Sequence, residues 1–146
     1  MNRILDRLYC GAFDDVPACA DAGITCVLSL CEAQPEPIPG VLMLHAPFPD
    51  EVDIPVHVWA ELITALTRVL RYGYTVLVHC RLGVSRSPTL CAAYIARAGV
   101  FPLDDALTYV RLCRNIANPH SATWASVGAW YAHENWHAHE ERMHHA

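Results

Sequence analysis

The sequence predicts an α/β fold, with a central mixed or mostly parallel sheet of four to five strands flanked by helices. Three observations carry this expectation. Short apolar runs alternate along the chain with longer stretches of helical periodicity, the order that builds parallel sheets with helices packed on them. One such run, Tyr74-Thr-Val-Leu-Val78, passes through the nine residues His79-Cys-Arg-Leu-Gly-Val-Ser-Arg-Ser87 into a helical pattern, so a strand–loop–helix unit lies mid-chain. The 146 residues are 53% hydrophobic, which suits one domain with a real core.

The elements follow in order. A short strand is expected near 4–9 and a helical stretch near 14–22. A strand over 24–30 leads into the Pro-rich loop Gln34-Pro-Glu-Pro-Ile-Pro-Gly40. The next strand covers 41–45, and Ala46 to Pro55 carries turn chemistry. An amphipathic helix spans about 55–72 and stops at Gly73. Strand 74–79 enters the nine-residue loop. Helices near 87–98, 102–116 and 121–135 complete the domain, with Pro88 in a first turn and Gly99 as a stop. Alternation of this kind places helices on both faces of the sheet. Residues 1–132 read as the domain proper, and 133–146 as a His- and Glu-rich extension.

Composition excludes several classes. No apolar stretch approaches the ~18 residues needed to span a bilayer. The start, Met-Asn-Arg-Ile-Leu-Asp-Arg, is too polar for a secretory signal. A net charge of −5 argues against nucleic acid or acidic lipid as the main partner. The seven cysteines are odd in number and lack a Cys-x-x-Cys spacing, so they read as buried thiols of a cytoplasmic protein, nuclear too in a eukaryote. No metal or cofactor is called for.

The nine-residue loop has its own chemistry. Cys80 and Arg86 are separated by five residues, Gly83 among them, a length that curls backbone N–H groups of residues 81–86 around one anion. The helix start beyond it adds free N–H groups and a favourable dipole. Cys80 at the mouth is expected as thiolate, below the unperturbed pKa of ~8.5, and is therefore open to peroxide or to a nearby thiol. Arg86 supplies a planar fork for two phosphate oxygens, which lysine could not. The implied reaction is attack of the thiolate on phosphorus to give a phosphocysteine.

These nine residues resemble the phosphate-binding signature of the cysteine-dependent protein phosphatases, in its dual-specificity form. Ile4 to Gly11 resembles that family's first strand, and Ala22-Gly-Ile-Thr-Cys-Val-Leu-Ser-Leu30 its next one. Ser87-Pro88-Thr89 and Ala93-Tyr94 resemble the following helix, and Leu103 to Ile116 with Asn118-Pro119 the late helix and its corner. The resemblance covers residues 3 to about 131. It implies the protein-tyrosine-phosphatase-like fold and a small catalytic-domain-only enzyme. It implies phosphoprotein substrates, with a site shallow enough for phosphoserine and phosphothreonine beside phosphotyrosine. It also implies a monomer and no cofactor. The competing readings are a phosphatase of phosphoinositides, RNA 5′ ends or sugar phosphates, a phosphoprotein-binding module without turnover, and a rhodanese-like sulfurtransferase.

The same resemblance assigns roles, naming Cys80, Arg86, Asp50 and Ser87 as catalytic, with Arg81, Leu82, Gly83, Val84, Ser85 and Arg86 around the phosphate. The proton donor belongs on the loop before the long helix, roughly thirty residues ahead of Cys80, where Asp50, Glu51 and Asp53 compete. Asp50 fits best after the stiffening Pro49, and Asp53 reads as the helix N-cap. Ser87 donates to the Cys80 sulfur as phosphate leaves, or simply caps its helix. Ser85 serves the loop through backbone hydrogen bonds, while His79 points away from the bowl and holds the loop. Arg81 is either a cation for acidic substrates or a solvated side chain. In the tail, His133 and His137 share a helix face, and His139, His144 and His145 follow, but a polar, frayed end is the simpler reading. Trp124, Trp130 and Tyr131 are expected to pack the last helix onto the core.

Overall fold

The structure is a computed structural model, and it describes residues 1–144. Five strands form one sheet: β1 (Asn2–Leu5), β2 (Leu8–Ala12), β3 (Cys26–Ser29), β4 (Leu42–His45) and β5 (Val76–Cys80). Their spatial order is β1-β2-β5-β3-β4. β2, β5, β3 and β4 run parallel, and β1 is antiparallel to β2. The helices are α1 (Val56–Arg71), α2 (Arg86–Arg97), α3 (Leu103–Cys113) and α4 (Ser121–His144). No helix among the described residues is long and apolar enough to cross a membrane.

The register of β5 decides what the site looks like. Every residue from Val76 to Cys80 is buried, as a central strand covered on both faces requires. Val76, Val78 and Cys80 face the main core, while Leu77 joins a smaller cluster with Val16, Cys19, Ile24 and Val27. Alternation therefore sends Cys80 and His79 to opposite faces. The N-terminal part of α4 docks through Val127 and Trp130, and the indole of Trp59 on α1 donates to Ser126 at 3.0 Å. Trp124 and Tyr131 pack beside them at half-buried positions.

Four expectations are corrected. The strand expected at 4–9 is a hairpin, because Arg7 adopts a left-handed φ of 64° and turns the chain between β1 and β2. The helix expected over 14–22 is only a 3₁₀ helix, Phe13–Ala18, followed by turns; Pro17 and Gly23 stop it from lengthening. Consequently α-helices do not cover both faces. All four pack on the side of the main core, and the 3₁₀ helix with the Pro-rich loop covers the other. Finally, α4 does not end near 135 but runs to His144, with its last three turns exposed. His133 and His137 do share a face there, with ring nitrogens 3.0 Å apart, and His145 lies outside the described residues. Among the described residues no three metal-ligating side chains gather.

Candidate active site

The loop after β5 is held from outside by its carbonyls. Phe13 N–H donates to the Arg81 oxygen at 3.1 Å and Asn118 N–H to the Val84 oxygen at 2.8 Å. Arg114 Nε donates to the Gly83 oxygen at 2.8 Å, and its Nη2 reaches the Leu82 oxygen at 3.5 Å. Thr89 binds the Ser85 oxygen through both its N–H and its hydroxyl. The amides of Leu82, Gly83, Val84 and Ser85 meet no acceptor among the described residues. With the carbonyls turned outward, those N–H groups form a concave donor surface at the start of α2, the arrangement that binds an anion. The cleft above it, about 570 Å³, is lined by Cys80, Arg81, Leu82, Val84, Ser85 and Arg86 together with Asp50, Glu51 and His120.

Gly83 has φ of 69°, and a Cβ there would collide with the Arg114 guanidinium and come within 2.7 Å of the Gly11 carbonyl oxygen. Gly83→Ala is therefore expected to lower the unfolding free energy by about 2 kcal/mol or more and to weaken turnover with it, as read by thermal melts and kcat/KM. An unchanged melting temperature would remove Gly83 from the loop's design. Arg114 escaped sequence reasoning. It is buried at 6% exposure and also donates from Nη1 to Asn2 at 2.8 Å, tying β1 to the loop. Only its position one residue past a helix hinted at it.

Arg86 opens α2 and is nearly buried. Its Nη1 donates to the Phe48 carbonyl at 2.9 Å and to the Leu30 carbonyl at 3.3 Å, and lies 3.5 Å from the exposed Glu32 carboxylate. Its Nε is buried and has no partner among the described residues. A buried donor left unpaired is costly unless an incoming group satisfies it.

Asp50 lines this cleft and Asp53 does not. Asp53 is not the N-cap of α1 either; Pro55 takes that position with no side-chain bond. Asp50 Oδ1 accepts from Thr123 at 2.6 Å and from Ser85 at 2.8 Å. Burial pushes this carboxyl up, but Thr123, Ser85, the Glu51 N–H and the Arg86 charge outweigh it, so it sits below the usual carboxylate range. Glu51 carries a left-handed φ of 66°, which turns the loop sharply here, and its N–H donates to Thr123 at 3.2 Å. Thr123 and Ser85 thus hold Asp50 from two different helix starts. Ser85, expected to act through backbone bonds, uses its hydroxyl for Asp50 and accepts the His120 N–H at 2.9 Å.

Ser87 sits inside α2, since Ser85 occupies the N-cap position. Its hydroxyl lies 3.3 Å from the Cys80 sulfur and 3.1 Å from the Gly11 carbonyl, and its N–H points at the same sulfur at 3.5 Å. Behind it, Cys10 Sγ donates to the Ser87 hydroxyl at 3.5 Å, and the neighbouring Cys10 thiol and burial together push the Cys91 thiol up. All seven cysteines are free. His79 faces away from the cleft, as strand alternation required. Its Nδ1 must donate to the Cys80 carbonyl at 3.1 Å, so Nε2 accepts from Ser29 at 2.6 Å. Burial pushes its pKa down and keeps the ring neutral.

A sulfur thus lies at the base of a ring of unbonded amides, beside a guanidinium nitrogen with no partner among the described residues. The family model of the dual specificity phosphatase catalytic domain matches residues 8–133. The chain belongs to this family. Human dual specificity protein phosphatase 22 is 34% identical over 139 residues, covering 92% of this chain and 75% of the relative. Mouse dual specificity protein phosphatase 2 is 32% identical over 123 residues, which are 81% of this chain, and the chain spans only 39% of that relative's length. The crystal structure of a mouse dual specificity phosphatase complexed with zinc tungstate superimposes with a TM-score of 0.85 at 30% identity, covering 94% of this chain and 89% of that one. The protein-tyrosine-phosphatase-like fold thus stands.

Proposed function

We propose that this dual specificity phosphatase domain hydrolyses phosphotyrosine, and phosphoserine and phosphothreonine, in protein substrates through a phosphocysteine. The observation that carries it is the loop's polarity: carbonyls from Arg81 to Ser85 are bonded outward while four amides and Arg86 Nε remain unbonded around the Cys80 cleft. Such a donor set fits the three non-bridging oxygens of a phosphoryl group. The mouse relative's tungstate, a tetrahedral oxyanion, supports the same reading.

In the first step the Cys80 sulfur attacks phosphorus, an S–P bond forms and the P–O bond to the substrate breaks. Asp50 protonates the departing oxygen. In the second step water attacks phosphorus, Asp50 takes its proton, and the S–P bond breaks. Ser87 then donates to the sulfur as charge returns to it. Because Asp50 sits below the usual range in the free protein, the bound phosphate dianion serves a further purpose: its charge raises the carboxyl toward the protonated form that the first step uses. Arg81, exposed at the cleft, suits acidic flanking residues of a substrate.

Residues 1–132 form the catalytic unit, 133–146 an extension of it, and the protein acts as a cytoplasmic monomer. The acid is tested by comparison: Asp50→Ala is expected to slow turnover of a poor leaving group by about 10²-fold, and Asp53→Ala to leave it near wild type. A larger loss in Asp53→Ala overturns the assignment. Side-by-side assays on phosphotyrosine, phosphothreonine and phosphoinositide substrates test the substrate class, and a preference for the lipid would reverse it.

A further inference from the structure

We propose that the cleft between the C-terminal ends of α1 and α2 docks an acidic segment of a protein partner. The site stands independently of the reaction at Cys80. Three of the chain's ten basic residues, Arg68, Arg71 and Arg97, line one cavity of about 470 Å³, with Thr67 and Tyr94 between them. Arginines at helix C-termini complement the dipole, and that alone explains one cation per helix end. It does not explain why three converge on a single concavity in a chain of net charge −5. Among the described residues, Arg68 and Arg71 have no carboxylate within 4.0 Å, while Arg97 meets Glu134 of α4 at 3.9 Å. One carboxylate of the molecule thus already approaches this cleft, and two guanidinium groups remain for others.

The ligand's chemistry follows from what adjoins it. Arg68 also borders a shallow basin with Leu42, Val69 and Tyr72, and the Tyr72 side chain is 82% exposed. Acidic residues followed by an apolar one would fill cleft and basin together. A membrane surface fits less well, because the three cations lie in a concavity and the chain as a whole is acidic. Nor is this the phosphate cup approached from behind. Arg86 and Arg97 stand at opposite ends of α2, about 16 Å apart along its axis.

The test uses the full chain and a fluorescein-labelled oligoglutamate peptide with a C-terminal leucine, followed by anisotropy. Wild type is expected to bind with an affinity that falls with salt, and the Arg68→Gln, Arg71→Gln, Arg97→Gln triple variant about tenfold more weakly. Hydrolysis of a small aryl phosphate is expected to be unchanged in that variant. Each single variant, exposed and carrying its own melt, separates lost binding from lost fold. Equal binding by wild type and triple variant overturns the proposal. So does displacement of the peptide by orthovanadate, which would put it in the cup, or arginine-dependent binding of phosphatidylserine vesicles with none of the peptide.

Discussion

Cys80→Ser is expected to abolish hydrolysis of an aryl phosphate, lowering kcat by about 10³-fold or more, while a phosphotyrosine peptide still binds. The reason lies in what surrounds the sulfur. A serine hydroxyl keeps its proton at neutral pH and would need a base to lose it. His79, the adjacent histidine, is on the other face, occupied by Ser29 and the Cys80 carbonyl. Asp50 must itself give a proton to the departing oxygen in this step, so it cannot take one from the serine at the same time. Nothing nearby can activate the hydroxyl, yet the amides that bind phosphate are untouched by the change. Retained binding with lost turnover is the signature, read by calorimetry and a single-turnover assay. Turnover surviving in Cys80→Ser would sink the phosphocysteine mechanism.

Arg86→Lys is expected to cost about 10³-fold in kcat/KM although the charge is kept. Arg86 does two jobs at once. Its Nη1 ties the Phe48 and Leu30 carbonyls, fixing the acid loop against the phosphate loop, while Nε stays unpaired beside the cleft. A lysine ammonium is one point on a flexible stem and cannot hold the carbonyls and present a donor to phosphate together. KM is expected to rise and kcat to fall, since both placement and charge stabilisation suffer. A loss within tenfold would show that charge alone suffices and that the guanidinium fork is not the phosphate clamp.

How much of this was legible in the chain follows from distance along it. The strand–loop–helix from Val76 to Arg97 is contiguous, so its apolar run, its glycine and its first-turn proline could be read as a unit. The long helix over 56–71 was legible from its periodicity and the stop at Gly73, whose φ is 91°. Asp50 was legible only as one of three carboxylates, because its spacing from Cys80 is a loop-length argument. The hairpin at Arg7 was not legible, since a left-handed arginine leaves no compositional mark. Likewise the 3₁₀ segment near Val16 carries helical periodicity that Pro17 prevents from extending.

The residues themselves determined the nucleophile candidate and the anion cradle, because these depend on side chains within nine positions of one another, and the family, because its patterns recur from residue 3 to about 131. Only the tertiary structure decided how the cradle is held open. Arg114 and Asn118 come from beyond α3, and Phe13 from the end of the neighbouring strand β2, to turn the loop's carbonyls outward. Thr123 comes from α4 to hold Asp50 in the cleft, leaving Asp53 outside it. Those contacts join residues up to 73 positions apart, and hydrogen bonds between segments so distant have no local pattern to announce them.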